Sequence, residues 1–148
     1  MTSDRVVIGW REWLGLPDLG IEGIKAKIDT GARSSALHAL HIESFEKGDR
    51  SFIRFQVHPY QRDSHRTITA TAELLDWRRV KNSGGHSQLR PTIRTTVVLG
   101  QHRWRIDLTL TNRDVMGFRM LLGREALRKR FLVHPSESFL LGDRKTLE

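Results

Sequence analysis

The sequence predicts a small all-β barrel or sandwich with a single late helix. Short apolar runs recur at close spacing between turns rich in Gly, Pro and Asp. Several of these runs alternate with period two, the mark of a strand with one buried face. Only one segment, "REALRKRF" at 124–131, joins good helix formers, no Gly or Pro, and cations at its end.

"RVVIGWREW" (5–13) is the first candidate strand, ended by the turn cluster "GLPDLG". "IEGIKAKID" (21–29) alternates Ile24, Ala26 and Ile28 against Lys25 and Lys27. "SALHALHIES" (35–44) fits a strand or a short helical turn, with strand preferred; "SFIRFQVHP" (51–59) reads as strand and runs into a turn near "PYQRDS". "HRTITATAELL" (65–75) alternates in the same way. "WRRVKNSGGHSQLRPTIRTTVVLG" (77–100) reads as two arms around Gly84 and Gly85, and "TTVVLGQHRWRIDLTLT" (95–111) as a hairpin turning at Gly100-Gln101. "MLLG" (120–123) is a short apolar strand before the helix, and "FLVHPSESFLLG" (131–142) is expected to close the chain as a final hairpin. Trp10, Trp13, Trp77 and Trp104 are expected in the core or packed on hairpins.

At 148 residues the chain suits one domain, 1–148, with a real core. Hydrophobic residues at 38% and charged residues at 28% fit a folded soluble protein. No apolar run is long enough to span a membrane, and no apolar core follows a basic start, so a cytoplasmic location without membrane association is expected. The absence of Cys excludes disulfides, thiolate zinc sites and a Cys nucleophile. A net charge of +8, dominated by Arg, favours polyanionic partners. No aromatic-basic RNA signature and no zinc finger accompany it, so nucleic acid is not the expected partner.

"KAKIDTGARSSALHAL" (25–40) carries the chemistry. Asp29 ends an alternating strand. Thr30 can hold the turn through its hydroxyl, and Gly31 permits close backbone approach. An acid–base carboxylate needs this placement: fixed, partly desolvated and near a partner. The tripeptide alone is more often an ordinary turn, since Asp, Thr and Gly are common turn residues.

Its surroundings add weight. "KAKIDTGA", then the glycine-tipped hairpin "VKNSGGHSQLR", then "MLLGREAL" form an order that resembles the retropepsin-like aspartic peptidases. In that family a strand leads into D-T-G-A, a flap hairpin follows, and an apolar-apolar-Gly-Arg segment precedes the helix. The resemblance implies a small closed barrel of the acid-protease type. "IGWREWLGLPDLGI", "TNRDVMGFRMLLGR" and "RFLVHP" extend it to the bacterial family labelled ATP-dependent zinc proteases, whose members are often associated with ATP-grasp glutamate ligases.

The label's chemistry is not visible in the residues. There is no phosphate-cradling G-x-x-x-x-G-K-[ST] and no H-E-x-x-H, so no cofactor and no metal ligand is expected. His38 and His41 have a spacing that could share one helical face, but no carboxylate completes a local set.

An aspartic peptidase needs two carboxylates sharing a proton. This chain has one D-T-G, and Asp107 and Asp114 lack a following Gly, so a homodimer with one Asp29 per subunit is expected. Asp29, Thr30 and Gly31 are the catalytic candidates. Arg33 and the hairpin residues Ser83, Gly84, Gly85, His86 and Arg90 are the substrate-binding candidates. Together with the basic surface they favour an acidic, glutamate-rich peptide or protein. Three alternatives stay open: a peptide-binding module on the same fold, the metal-dependent hydrolase the label describes, and a basic nucleic-acid binder.

Overall fold

The computed structural model describes residues 5–60, 66–81 and 84–142. Its strands are β1 (Val6–Gly9), β2 (Arg11–Leu16), β3 (Ile21–Asp29), β4 (Ser35–His38), β5 (Leu40–Lys47) and β6 (Arg50–Val57), followed by β7 (Ile68–Glu73), β8 (Asp76–Lys81), β9 (Ser87–Leu99), β10 (His102–Thr111), β11 (Met120–Gly123) and β12 (Phe131–His134). One helix, α1 (Arg124–Leu127), follows β11.

The main sheet runs β10-β4-β11-β3-β2-β9-β8, and an added β9–β10 pairing closes it. β10, β4, β11, β3, β2 and β9 therefore form a closed ring, and β8 hangs from β9 as a hairpin arm. The expected barrel is present. Its lining comes from the alternation legible in the sequence: Ile24, Ala26 and Ile28 of β3 are buried, as are Val97 and Leu99 of β9 and Leu108 and Leu110 of β10. β5, β6 and β7 make a separate three-stranded sheet whose Ile53, Phe55, Val57 and Ala70 join the same core.

Three expectations are corrected. The first strand is not continuous over 5–13. It breaks at Trp10, and β1 pairs in parallel with β12 while β2 enters the barrel. Gly9 permits the break: a Cβ there would lie 2.4 Å from the Glu137 carbonyl oxygen, whose residue also accepts the Trp10 N–H at 2.9 Å.

The helix is shorter than 124–131. Arg128 leaves helical geometry at φ −54, ψ 131, and Lys129 is left-handed at φ 66. This turn sends Phe131 back over the barrel end, where its ring lies 5.3 Å from that of Trp104. Burial of that pair outweighs helix propensity over so short a stretch.

The closing hairpin does not form. Only its first arm is a strand, and residues 140–142 donate their N–H groups to Glu12 instead of to β12. Of the tryptophans, Trp104 is buried while Trp77 is exposed on the β8 arm.

Candidate active site

Asp29 is the last residue of β3, where it leaves the barrel wall. Ile28 before it is buried; Asp29 is half-buried and Thr30 exposed. The chain turns because the Asp29 carboxylate accepts the Gly31 N–H through Oδ1 at 2.9 Å, and the Asp29 carbonyl accepts the Ala32 N–H at 3.2 Å. A Cβ on Gly31 would stand 3.2 Å from that Oδ1, tight enough to disturb the carboxylate. Asp29 is thus a turn residue whose carboxylate is oriented through Oδ1. The Thr30 hydroxyl, expected to hold the turn, makes no hydrogen bond among the described residues and faces outward.

β11 and α1 clamp the loop. Gly123 is the register partner of Asp29, and its N–H donates to Ser35 Oγ at 3.0 Å. The Ser35 carbonyl accepts the Thr109 hydroxyl at 3.0 Å. At the start of α1, Arg124 N–H donates to the Ala32 carbonyl at 2.8 Å and Glu125 N–H to the Arg33 carbonyl at 3.2 Å, so loop carbonyls satisfy N–H groups a helix start leaves free. The Arg124 guanidinium also donates to the Gly31 carbonyl at 3.2 Å. Ala36, Val115 and Leu121, with Ala32 beside them, form a small apolar cluster under the loop.

Arg33 is exposed and paired to Glu125 at 2.8 Å. The hydrogen bond from Arg33 holds the Glu125 carboxyl below its usual range. The β8–β9 arms pair from Asp76↔Thr92 to Lys81↔Ser87, so the glycine-tipped hairpin exists. Gly84, Gly85 and His86 lie exposed at its tip, Gly85 at φ 84, and Ser83 lies outside the described residues. Arg90 sits back along β9, half-buried, donating through Nε to Gln88 Oε1 at 2.9 Å. Burial, and then the neighbouring Arg113, lower its pKa. The structure therefore gathers Asp29, Thr30, Gly31 and Arg33 on one loop and sets the hairpin tip apart from Arg90. Sequence reading named the "MLLGREAL" segment but not the separate parts played by Ser35, Thr109, Gly123 and Arg124.

The other described acids near these elements are committed. Burial pushes the Asp107 carboxyl up, but hydrogen bonds from Arg94 and Arg78, both 2.9 Å long, outweigh it and hold the group below its usual range. Asp114 accepts the Gly117 N–H at 2.9 Å. Zinc, implied by the label of the resembling family, does not fit the described residues. Among the described residues no three His, Asp or Glu side chains gather as ligands. His38 ends β4 while His41 lies in β5, not on a common helix, and the His38 ring faces the Arg119 guanidinium at 3.4 Å.

A closed barrel whose D-T-G-A loop is clamped by an apolar-Gly-Arg strand and a short helix defines the retropepsin-like class of aspartic peptidases. The sequence matches the family described as RimB-like, retropepsin-like aspartic endopeptidase RimB, over residues 7–144, and the chain belongs to that family. Curated relatives include proteins named probable alpha-L-glutamate ligase. The one from Shewanella pealeana is 43% identical over 148 residues, covering 100% of this chain and 32% of the relative. The one from Parasynechococcus marenigrum is 47% identical over 139 residues, covering 94% and 30%. The chain thus spans about a third of the length of the curated relatives it matches. A crystal structure of a protein of unknown function (DUF785) from Legionella pneumophila superposes with a TM-score of 0.76 at 29% identity, covering 93% of this chain and 98% of that one.

Proposed function

We propose that the chain is a peptide-bond hydrolase of the aspartic type, acting as a homodimer on acidic, glutamate-rich peptides. One observation carries this reading: a single half-buried carboxylate stands at the end of a barrel strand, oriented by Gly31 N–H and braced by Gly123, Ser35 and Arg124.

One such carboxylate is half of the chemistry. Hydrolysis requires a base to take a proton from water as its oxygen attacks the carbonyl carbon, and an acid to protonate the departing amine. Two carboxylates about 3 Å apart share one proton, because both cannot ionise cheaply. Asp29 and Asp29 of the partner subunit, related by a twofold axis, supply the pair. The ionised one takes the water proton; the protonated one hydrogen-bonds the carbonyl oxygen, and the leaving nitrogen then gains a proton. The β8–β9 hairpin tip, with Gly84, Gly85 and His86, serves as the cover that excludes water.

The acidic substrate class follows from charge and kinship. The chain carries +8, and Glu125 beside the loop is ion-paired to Arg33. Relatives named probable alpha-L-glutamate ligase carry a segment 43% and 47% identical to this chain, which supports a hydrolase acting on glutamyl peptides and linked to an ATP-grasp ligase. The test is mass-spectrometric detection of oligoglutamate cleavage by wild type and Asp29→Asn, across pH and with or without chelator. Cleavage by wild type alone, indifferent to chelator, supports the proposal. Cleavage by both proteins, lost on chelation, overturns it. Binding without cleavage by wild type turns the reading to a peptide-binding module.

A further inference from the structure

One face of the barrel wall runs from Asp29 to a cluster of arginines. Residues paired across a sheet share a face, and alternate residues of a strand return to it. Asp29 and Gly123 are register partners, and two residues back along each strand so are Lys27 and Leu121. Leu121 pairs with Ala36, Ala36 with Thr109, and Thr109 with Thr92. A further step of two along each strand brings Arg119, His38, Thr111 and Arg90 to the same face. Arg119 stands four residues before Gly123, about 13 Å of extended chain.

Hydrogen bonds knit the far end of this face together. Gln88 Oε1 accepts Arg90 Nε and the Thr111 hydroxyl, each at 2.9 Å, which leaves the Gln88 NH₂ as a further donor. The Arg113 N–H donates to Thr111 Oγ1 at 3.1 Å. Arg119 Nη1 faces the His38 ring at 3.4 Å, and Arg119 Nε is buried without an acceptor among the described residues. Among those residues, none of Arg90, Arg113 and Arg119 forms an ion pair. Asp107, on the same face, is held by Arg78 and Arg94, and Asp114 accepts the Gly117 N–H. Arg90 is half-buried, and removing a cation from water without a carboxylate beside it is costly.

We propose that Arg90, Arg113 and Arg119 form a subsite for the side-chain carboxylate of a substrate glutamate a few residues from the bond to be cut. A lining of donors with no free carboxylate fits an anion, and a guanidinium matches a carboxylate through two parallel hydrogen bonds. Between the cluster and Asp29, the apolar patch of Ala32, Ala36 and Leu121 covers the methylene stems of the bound chain. The cluster lies at the ends of β4 and β11 remote from the Asp29 loop, at the root of the β8–β9 hairpin. Two copies joined through their Asp29 loops therefore each present it to the substrate. The role of the subsite in cleavage rests on the peptidase reading; its binding of carboxylate does not.

The experiment measures anisotropy of fluorescein-labelled decaglutamate on the Asp29→Asn chain, so that the peptide stays intact. In that background, Arg90→Gln with Arg113→Gln removes two charges from the cluster. Lys47→Gln with Arg103→Gln removes two exposed charges elsewhere. Arg113→Glu alone changes an exposed residue and keeps the test decisive if the Arg90 change disturbs folding. The double cluster variant is expected to weaken binding at least about tenfold and to flatten its salt dependence. Arg113→Glu should weaken it at least about fivefold, and the control by less than about twofold.

Equal weakening by cluster and control variants would assign the effect to overall charge and overturn the proposal. Absence of decaglutamate binding by the parent chain would overturn it as well. Tighter binding of labelled decathymidylate, lost in the cluster variant, would assign the site to phosphate and do the same. The two readings are separated by cleavage assays with Asp29 intact. Oligoglutamate cleavage whose KM the cluster variant leaves unchanged sinks the subsite but not the peptidase. Cluster-dependent binding with no cleavage by wild type sinks the peptidase but not the subsite.

Discussion

Gly123 stands directly opposite Asp29 in the parallel pairing of β11 with β3. A Cβ at Gly123 would lie 2.4 Å from the Ser34 carbonyl oxygen and 3.0 Å from that of Ala32. Both obstacles are backbone atoms of the loop that carries the catalytic candidates, and neither can rotate away. The glycine is therefore required by close approach and not by an unusual φ.

Gly123→Ala must push the 32–34 segment outward. That strains the Gly123 N–H to Ser35 Oγ bond and the contacts of α1 with the loop. We expect a loss of about 1–3 kcal/mol in unfolding free energy, read by urea titration. Peptide cleavage should fall further than stability accounts for, because Asp29 shifts with its loop. A variant with unchanged stability and activity would show that the loop is not clamped from this side.

Asp29→Asn is a clean test of the chemistry, because Asn retains the Oδ1 that accepts the Gly31 N–H. The turn should survive, with a thermal midpoint close to wild type. Cleavage should drop roughly 10³-fold or more, since an amide can neither take the water proton nor share one with a partner. A residual rate within tenfold of wild type would remove Asp29 from the mechanism.

Glu12 is fully buried, and its carboxylate accepts four backbone N–H groups: Gly9 at 2.6 Å, Leu140 at 2.9 Å, Leu141 at 3.1 Å and Gly142 at 2.8 Å. It ties the segment after β12 to β2. In Glu12→Gln the amide NH₂ would replace one acceptor oxygen and confront N–H groups with a donor. Loss of charge-assisted bonds and exposure of unpaired donors should cost about 2–4 kcal/mol, measured by chemical denaturation. Faster amide exchange at 140–142 should accompany it; unaltered exchange there would refute the assignment.

How much of this was legible in the sequence depended on the range of the contacts. The period-two alternation of 21–29 is local, and β3 occupies those residues. The glycine-tipped arms of β8 and β9 are also local. The D-T-G-A turn and "MLLGR" were recognisable by order along the chain, although their register, Gly123 against Asp29, was not. The final hairpin was misread because "FLVH" and "FLLG" look like two arms, whereas the 140–142 N–H groups go to a carboxylate more than 100 positions away. The helix was overextended because propensity is local and the Phe131–Trp104 contact that ends it is not. The groove lined by Arg5, Thr30, Arg124, Arg128 and Lys129 is not legible in the sequence, because these residues meet only in space.

His38 provides a pH-dependent prediction. Burial lowers its pKa from the ordinary value of about 6.5, and Arg119 lowers it further, with a smaller push from His58; the Asn112 backbone and Asp114 oppose them without prevailing. Protonation at Nδ1 would also remove the acceptor that faces Arg119 Nη1. Because the folded pKa lies below the unfolded one, the unfolded chain binds more protons in the window between them. The stability contributed by neutral His38 is therefore complete above about pH 6.5 and is lost as pH falls through the folded value. His38→Gln should shrink the decline in thermal midpoint between pH 7 and pH 5. The change should be small, roughly 2 °C, because the ring is only part-buried and water screens its charge. A steeper decline in the variant would reverse the sign of the coupling and point to Asp114, not Arg119, as the neighbour that governs this histidine.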